Sequence, residues 1–116
     1  MVEYTHLDNT FHALADPTRR HIIGMLVEQR QHRIKELVEP FDMSFAAVSK
    51  HIKVLEKADL VTRTKRGREF YLQLNTLPLK QAQDWIEFYQ QFWLKRFARL
   101  EKLLAGSTIE VDRDIG

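Results

Sequence analysis

The sequence predicts a mainly α domain of five helices carrying one β-hairpin. Three observations predict it. Apolar residues recur at helical spacing in five successive segments. Past residue 59 the period changes to two in a stretch rich in β-branched and aromatic residues. Capping residues, prolines and a glycine mark the joints between these segments.

Leu7, Phe11, Leu14 and Ala15 give the first, short helix. In "ADPTRRHIIGML" the chain restarts: Asp16 can cap, and Pro17 fits a first helical position that needs no free N–H. Ile22, Ile23, Leu26 and Val27 then form the buried stripe of the second helix, and "EQRQHR" is a polar connection. Ile34, Leu37, Val38 and Phe41 mark a third helix that Pro40 ends, followed by a tight joint, "FDMS". Ser44 caps the fourth helix, which is apolar at Val48, Ile52, Leu55 and Ala58. "LVTRTK" and "REFYLQL" read as two strands, with "KRGR" supplying the glycine their turn needs. From Pro78 to Leu104 a long helix carries a wide apolar band: Ala82, Trp85, Ile86, Tyr89, Phe92, Trp93, Phe97, Leu100, Leu103 and Leu104. Residues 105–116, "AGSTIEVDRDIG", hold no sustained pattern and are expected to form a flexible acidic tail on a single domain spanning 1–104.

A short helix, a tight turn, a longer helix and a basic hairpin make a winged helix-turn-helix. Such units set the second helix in the major groove of double-stranded DNA, N-terminal residues nearest the bases. Small Ala46 and Ala47 let the tip beyond Ser44 approach closely, and Ser49, Lys50, His51 and Lys53 supply donors. His51 reads either as a DNA contact or as a half-buried packing residue. Arg66 and Arg68 reach the flanking backbone or minor groove, and Lys65 with them neutralises phosphates. Charge agrees: the whole chain carries only +2, whereas Ser44–Arg68 holds seven basic residues against Glu56 and Asp59, a net of +5. Arg19 and Arg20 read as phosphate ligands or, in preference, as anchors of a neighbouring helix through a carboxylate.

Other classes are disfavoured. The 116 residues include no Cys, which removes disulfides, thiolate metal sites and cysteine nucleophiles. Histidines 6, 12, 21, 32 and 51 are scattered over separate elements, and no Ser-His-acid or phosphate-loop spacing occurs, so no catalysis and no cofactor are expected. Asp8, His12 and Asp16 stand four apart, but Asp16 is better explained as a cap, and no metal site is expected. With neither a signal-peptide pattern nor a membrane-length apolar run, the expected compartment is the cytoplasm.

"FHALADPTRRHIIGML" and "IKELVEPFDMSFAAVSKHIKVLEKADLV", with the hairpin after them, resemble the ArsR-type winged-helix repressors of bacteria, in the branch lacking metal-binding cysteines. The resemblance covers about residues 7–104. It implies a homodimer joined through the first and last helices, repressing transcription from a palindromic operator. On this chain those helices offer Leu7, Phe11, Leu14, Trp85, Tyr89, Phe92, Trp93, Phe97 and Leu100. The last helix is itself too apolar to be solvated, and a lone domain of this size cannot cover both its sides. Two positions depart from the common pattern. Asp59 stands where a glycine is usual, and Asp tolerates the left-handed conformation required there. Phe45 replaces a polar residue, and either meets a thymine methyl or packs. The inducing signal is not legible. The rival reading is a winged-helix interaction module docking an acidic partner on the same basic face.

Overall fold

Among the described residues five α-helices and a three-stranded antiparallel sheet follow one another as α1 (Val2–Leu14), α2 (Pro17–Glu28), β1 (Gln31–Arg33), α3 (Ile34–Val38), α4 (Phe45–Lys57), β2 (Val61–Arg66), β3 (Glu69–Leu74) and α5 (Leu77–Ala105). This computed structural model describes residues 2–106, with side chains from His6 onward. Most of the predicted acidic tail lies outside the described residues. The chain divides into two compact units after Ala82.

In the first unit the core is Ala13 of α1, Ile22 and Leu26 of α2, Leu37 of α3, Val48, Ile52 and Leu55 of α4, and Leu60 and Leu72 beside or within the sheet. All four positions read as the apolar stripe of α4 are buried. Two other stripes need correction. On α2, Val27 is exposed, and the buried set is Arg19, Ile22, Ile23 and Leu26, so a buried arginine opens the i, i+3, i+4, i+7 stripe. On α1 it is Thr10 and Ala13 that are fully covered, while Leu7 and Leu14 are half-buried and Phe11 is exposed.

The hairpin is part of a larger sheet, in the order β1-β3-β2. The supposed polar connection contributes β1, which pairs Gln31 with Gln73 and Arg33 with Tyr71. Three polar residues give no periodicity, so the strand is set by tertiary context. His32 pins it, one ring nitrogen 3.2 Å from the Met25 carbonyl and the other 3.3 Å from Glu36. Hydrogen bonds from Arg33 hold the Glu36 carboxyl below the usual range. Between β2 and β3, Arg66 pairs with Glu69, leaving a two-residue loop of Gly67 and Arg68. Gly67 has φ 63° and Arg68 an ordinary φ, the type II′ pattern that suits strand twist.

α4 ends as its sequence requires. The N–H of Leu60 donates to the Leu55 carbonyl at 3.0 Å and that of Asp59 to Glu56 at 2.9 Å, a Schellman closure. Asp59 takes the left-handed position with φ 58°. Asn75 straps this joint, its side-chain amide donating to the Asp59 carbonyl at 2.8 Å and its backbone N–H to Leu60 at 2.8 Å. An aspartate at such a φ costs on the order of 1 kcal/mol that a glycine does not. Asp59→Gly is therefore expected to raise unfolding stability by up to ~1 kcal/mol, and Asp59→Val to lower it; urea titration reads both.

The second unit holds, among the described residues, the remaining turns of α5. Its large apolar side chains are widely exposed, among them Trp85 at 40%, Tyr89, Phe92, Trp93, Leu100 and Phe97 at 56%, with Leu103 the most exposed at 74%. Neighbouring rings meet along the helix at a tilt, Trp85 with Tyr89 at 4.6 Å and 50° and Trp93 with Phe97 at 6.1 Å and 32°.

Candidate nucleic-acid interface

α4 begins where the Ser44 Oγ accepts the Ala47 N–H at 3.1 Å, satisfying one of the orphan donors of the first turn. Away from the buried Val48, Ile52 and Leu55 lie the exposed Ala46, Lys50 and Lys53, with Ala47, Ser49 and His51 half-buried on the flanks, while Phe45 continues the buried stripe one turn earlier and is exposed there. The tip is small at 46 and 47, as the sequence suggests, but bulky at Phe45, which is 57% exposed.

Beside α4 stands the wing. Arg63 of β2 donates to the Glu56 carboxylate at 2.7 Å, tying sheet to helix and cancelling one positive charge. Lys65 lies 5.5 Å from the centre of the Phe70 ring, and Arg66 5.5 Å from that of Tyr71. These ring faces hold the cations outward at little entropic cost. Among the described residues, Lys50, Lys53 and Arg68 have no carboxylate partner. Their charge is left for an external anion.

Between α4 and the wing runs a cleft of about 410 Å³, lined by Phe45, Ser49 and Lys53 on one side and Arg63, Arg68 and Phe70 on the other, with Ile34 and Lys35 at its end. Four of the predicted DNA-facing residues, Phe45, Ser49, Lys53 and Arg68, thus line one groove, together with the Glu69 carboxylate of β3. Sequence reasoning missed Phe70 and Arg63 as members. Phe70 shares a strand face with buried Leu72, yet it is exposed at the wing.

The base of α4 is held from α2. Asp16 caps that helix, accepting the Arg19 N–H at 3.1 Å. Arg19 was expected to bind a carboxylate; instead its Nε donates to the Ala13 carbonyl at 2.7 Å and Nη2 to the His12 carbonyl at 3.0 Å. It closes the end of α1, and Arg20 adds a bond to the Leu14 carbonyl at 2.8 Å. The remaining arm, Nη1, meets His51 Nδ1 at 3.1 Å. Desolvation pushes the Asp16 carboxyl up, but the Arg19 backbone N–H and the charges of His51 and Arg19 outweigh it, and the net value is lowered. A lowered carboxyl stabilises the fold above the ordinary carboxylate range, and that contribution is lost as pH falls through the lowered folded value. Asp16→Ala is expected to cost about 1 kcal/mol at neutral pH and to remove this part of the acid limb; urea unfolding from pH 7 to 2 measures both. Among the described residues no three His, Asp or Glu side chains converge on a point that could hold a metal ion.

The family described as "Bacterial regulatory protein, arsR family" matches residues 16–63, from the cap of α2 through α4 into the wing. The transcriptional repressor SdpR of Bacillus subtilis is 30% identical over 80 residues, covering 69% of this chain and 88% of SdpR. YuzN, an HTH-type transcriptional regulator of the same organism, is 39% identical over 87 residues, 69% of this chain and 95% of its own. This chain belongs to the ArsR family. The structural likeness extends further: an ArsR-like transcriptional regulator from Rhodococcus sp. RHA1 superposes with a TM-score of 0.74 at 26% identity, over 89% of this chain and 96% of that one. As a member of the ArsR family the protein is a DNA-binding transcriptional regulator, and the five-helix winged fold is the family's. With no Cys in the sequence, thiolate metal ligation is unavailable to it.

Proposed function

We propose that this protein is a homodimeric repressor that occupies a palindromic operator. Two α4 helices, one from each protomer, would enter successive major grooves about one helical turn apart, ~34 Å. The observation that carries this reading is the face of α4: a capped tip with small residues, and cations with no internal partner on α4 and the adjoining wing. Repression, rather than activation, is supported by the likeness to SdpR, a transcriptional repressor.

In this reading Ser44, Phe45, Ala46, Ala47, Ser49, Lys50 and His51 lie closest to the base edges. Lys53, Lys65, Arg66 and Arg68 neutralise phosphates. The dimer forms through residues 1–104 as one functional domain, using Leu7, Phe11 and Leu14 of α1 and the exposed band of α5. No helix among the described residues is long and apolar enough to cross a membrane, and we place the protein in the cytoplasm. We assign it no catalytic step.

Three or four phosphates neutralised per protomer give a slope of log affinity against log salt of about −6. Lys53→Ala is expected to weaken operator and scrambled duplex alike and to flatten that slope by about 2 for the dimer, since one cation is lost from each protomer. Ser49→Ala and Lys50→Ala are expected to narrow the gap between operator and scrambled DNA. Fluorescence-anisotropy titration at several salt concentrations separates the two classes. Retention of the full wild-type preference by both variants would remove base reading from these two positions.

A further inference from the structure

We infer that Arg19 fixes the polarity of His51, so that its Nε2–H is an obligate hydrogen-bond donor to the operator. This rests on the DNA-binding reading above and adds which atom of His51 acts and what holds it.

The argument begins with a residue that cannot change role. A guanidinium carries N–H donors only and keeps its proton under all conditions of interest. Arg19 is 9% exposed, and two of its nitrogens are committed to the carbonyls of Ala13 and His12. With the plane of the group set by those bonds, Nη1 points at His51 Nδ1 across 3.1 Å. A donor facing Nδ1 requires Nδ1 to accept. In the neutral ring the proton then resides on Nε2. The Nδ1–H tautomer would set two donors head to head, and the one carboxylate nearby, Asp16 Oδ2, is 3.7 Å from Nδ1, too long to rescue it.

Nε2 is free to act outward. It has no partner among the hydrogen bonds of the described residues, and no buried side-chain nitrogen or oxygen there lacks one, so Nε2 is open to solvent. Its side chain is 22% exposed, on the flank of α4 next to Lys50. An oriented N–H on the recognition helix selects an acceptor on DNA: a phosphate oxygen, or an acceptor at a major-groove base edge such as guanine N7 or O6. Arg19 is thus a positioning residue. It contacts no DNA and acts through the ring it orients.

Two measurements test this. On the free protein, a long-range ¹H–¹⁵N correlation spectrum of the imidazoles reads the tautomer directly. We expect the neutral His51 ring to be protonated at Nε2, and Arg19→Lys, which cannot serve all three acceptors, to give a tautomer mixture. An Nδ1–H ring in the wild type would overturn the inference. On the operator, two substitutions separate the outward donor from the inward anchor. His51→Gln places an amide N–H near the former Nε2, whereas His51→Asn can set its carbonyl oxygen near the former Nδ1 but is too short to place its N–H at the former Nε2. If the donor matters, Gln retains binding within about threefold and Asn loses about tenfold. If His51 serves only to anchor Arg19, the order reverses. Thermal unfolding of both variants checks that each is folded.

The source of the acceptor is resolved by operators carrying, one position at a time, a base analogue lacking a major-groove acceptor or a methylphosphonate. One substitution is expected to weaken the wild type and leave His51→Asn unaffected, and its type names the acceptor. No such position would contradict the inference. A wild-type protein with no preferred duplex would sink the parent reading and the donor's role together, while the tautomer result would stand on its own.

Discussion

Trp93→Glu is expected to turn the proposed dimer into a monomer and to weaken operator binding by at least about a hundredfold. Trp93 is 51% exposed on α5, in contact with Phe97 along the same helix. An aromatic side chain presents about 150–250 Å² when fully exposed, so the half-exposed rings at 85, 89, 92, 93 and 97 together offer on the order of 500 Å². A standard interface takes about 800 Å² from each partner, and monomers rarely leave a contiguous apolar patch beyond a few hundred. Across a two-fold axis a single substitution appears twice, and each carboxylate would lose its water without gaining a partner. Two tethered half-site contacts exceed one by roughly 10²–10⁴ in affinity, which is the amount at stake. Sedimentation velocity and operator titration on the same preparation check both parts. A variant that remains dimeric and binds normally would move the interface away from this face.

Ile52→Ala is expected to cost about 2–5 kcal/mol of folding stability. Ile52 is fully buried on the inner face of α4, in the cluster that joins helices α1 to α4 with the sheet. Domains of this size hold only about 5–15 kcal/mol in reserve, so the variant should melt roughly 10 °C or more below the parent protein. Its exposed neighbour provides the contrast. Lys53→Ala touches no core atom and is expected to leave the melting temperature almost unchanged while weakening DNA binding. Differential scanning calorimetry beside anisotropy gives both readings. Equal melting temperatures for the two variants would mean that α4 does not anchor this core.

These contrasts show where the sequence was legible. α4 could be read almost residue by residue because its stripe, its serine cap and its left-handed stop at Asp59 are all local signals. The five helices and the hairpin followed from the same kind of pattern. What escaped depends on partners distant in sequence. β1 is three polar residues whose pairing is decided by β3, some forty positions on. Val27 looked buried by type, but the phase of α2 is set by Arg19, which the core accepts because three acceptors await its guanidinium. Likewise the charge of Arg63 looked available until Glu56, on the neighbouring element, was found to take it. The candidate interface was therefore legible as a basic, small-tipped helix, while its division into committed and available charges required the fold.

Selection from a pool of random duplexes, followed by titration of the winner at two salt concentrations, tests the central claim most directly. A palindromic winner with half-sites about one helical turn apart, preferred about a thousandfold over scrambled DNA, is the expected result. Weak and uniform binding of every duplex, lost at moderate salt, would contradict it and would leave the basic face as a docking surface for an acidic partner.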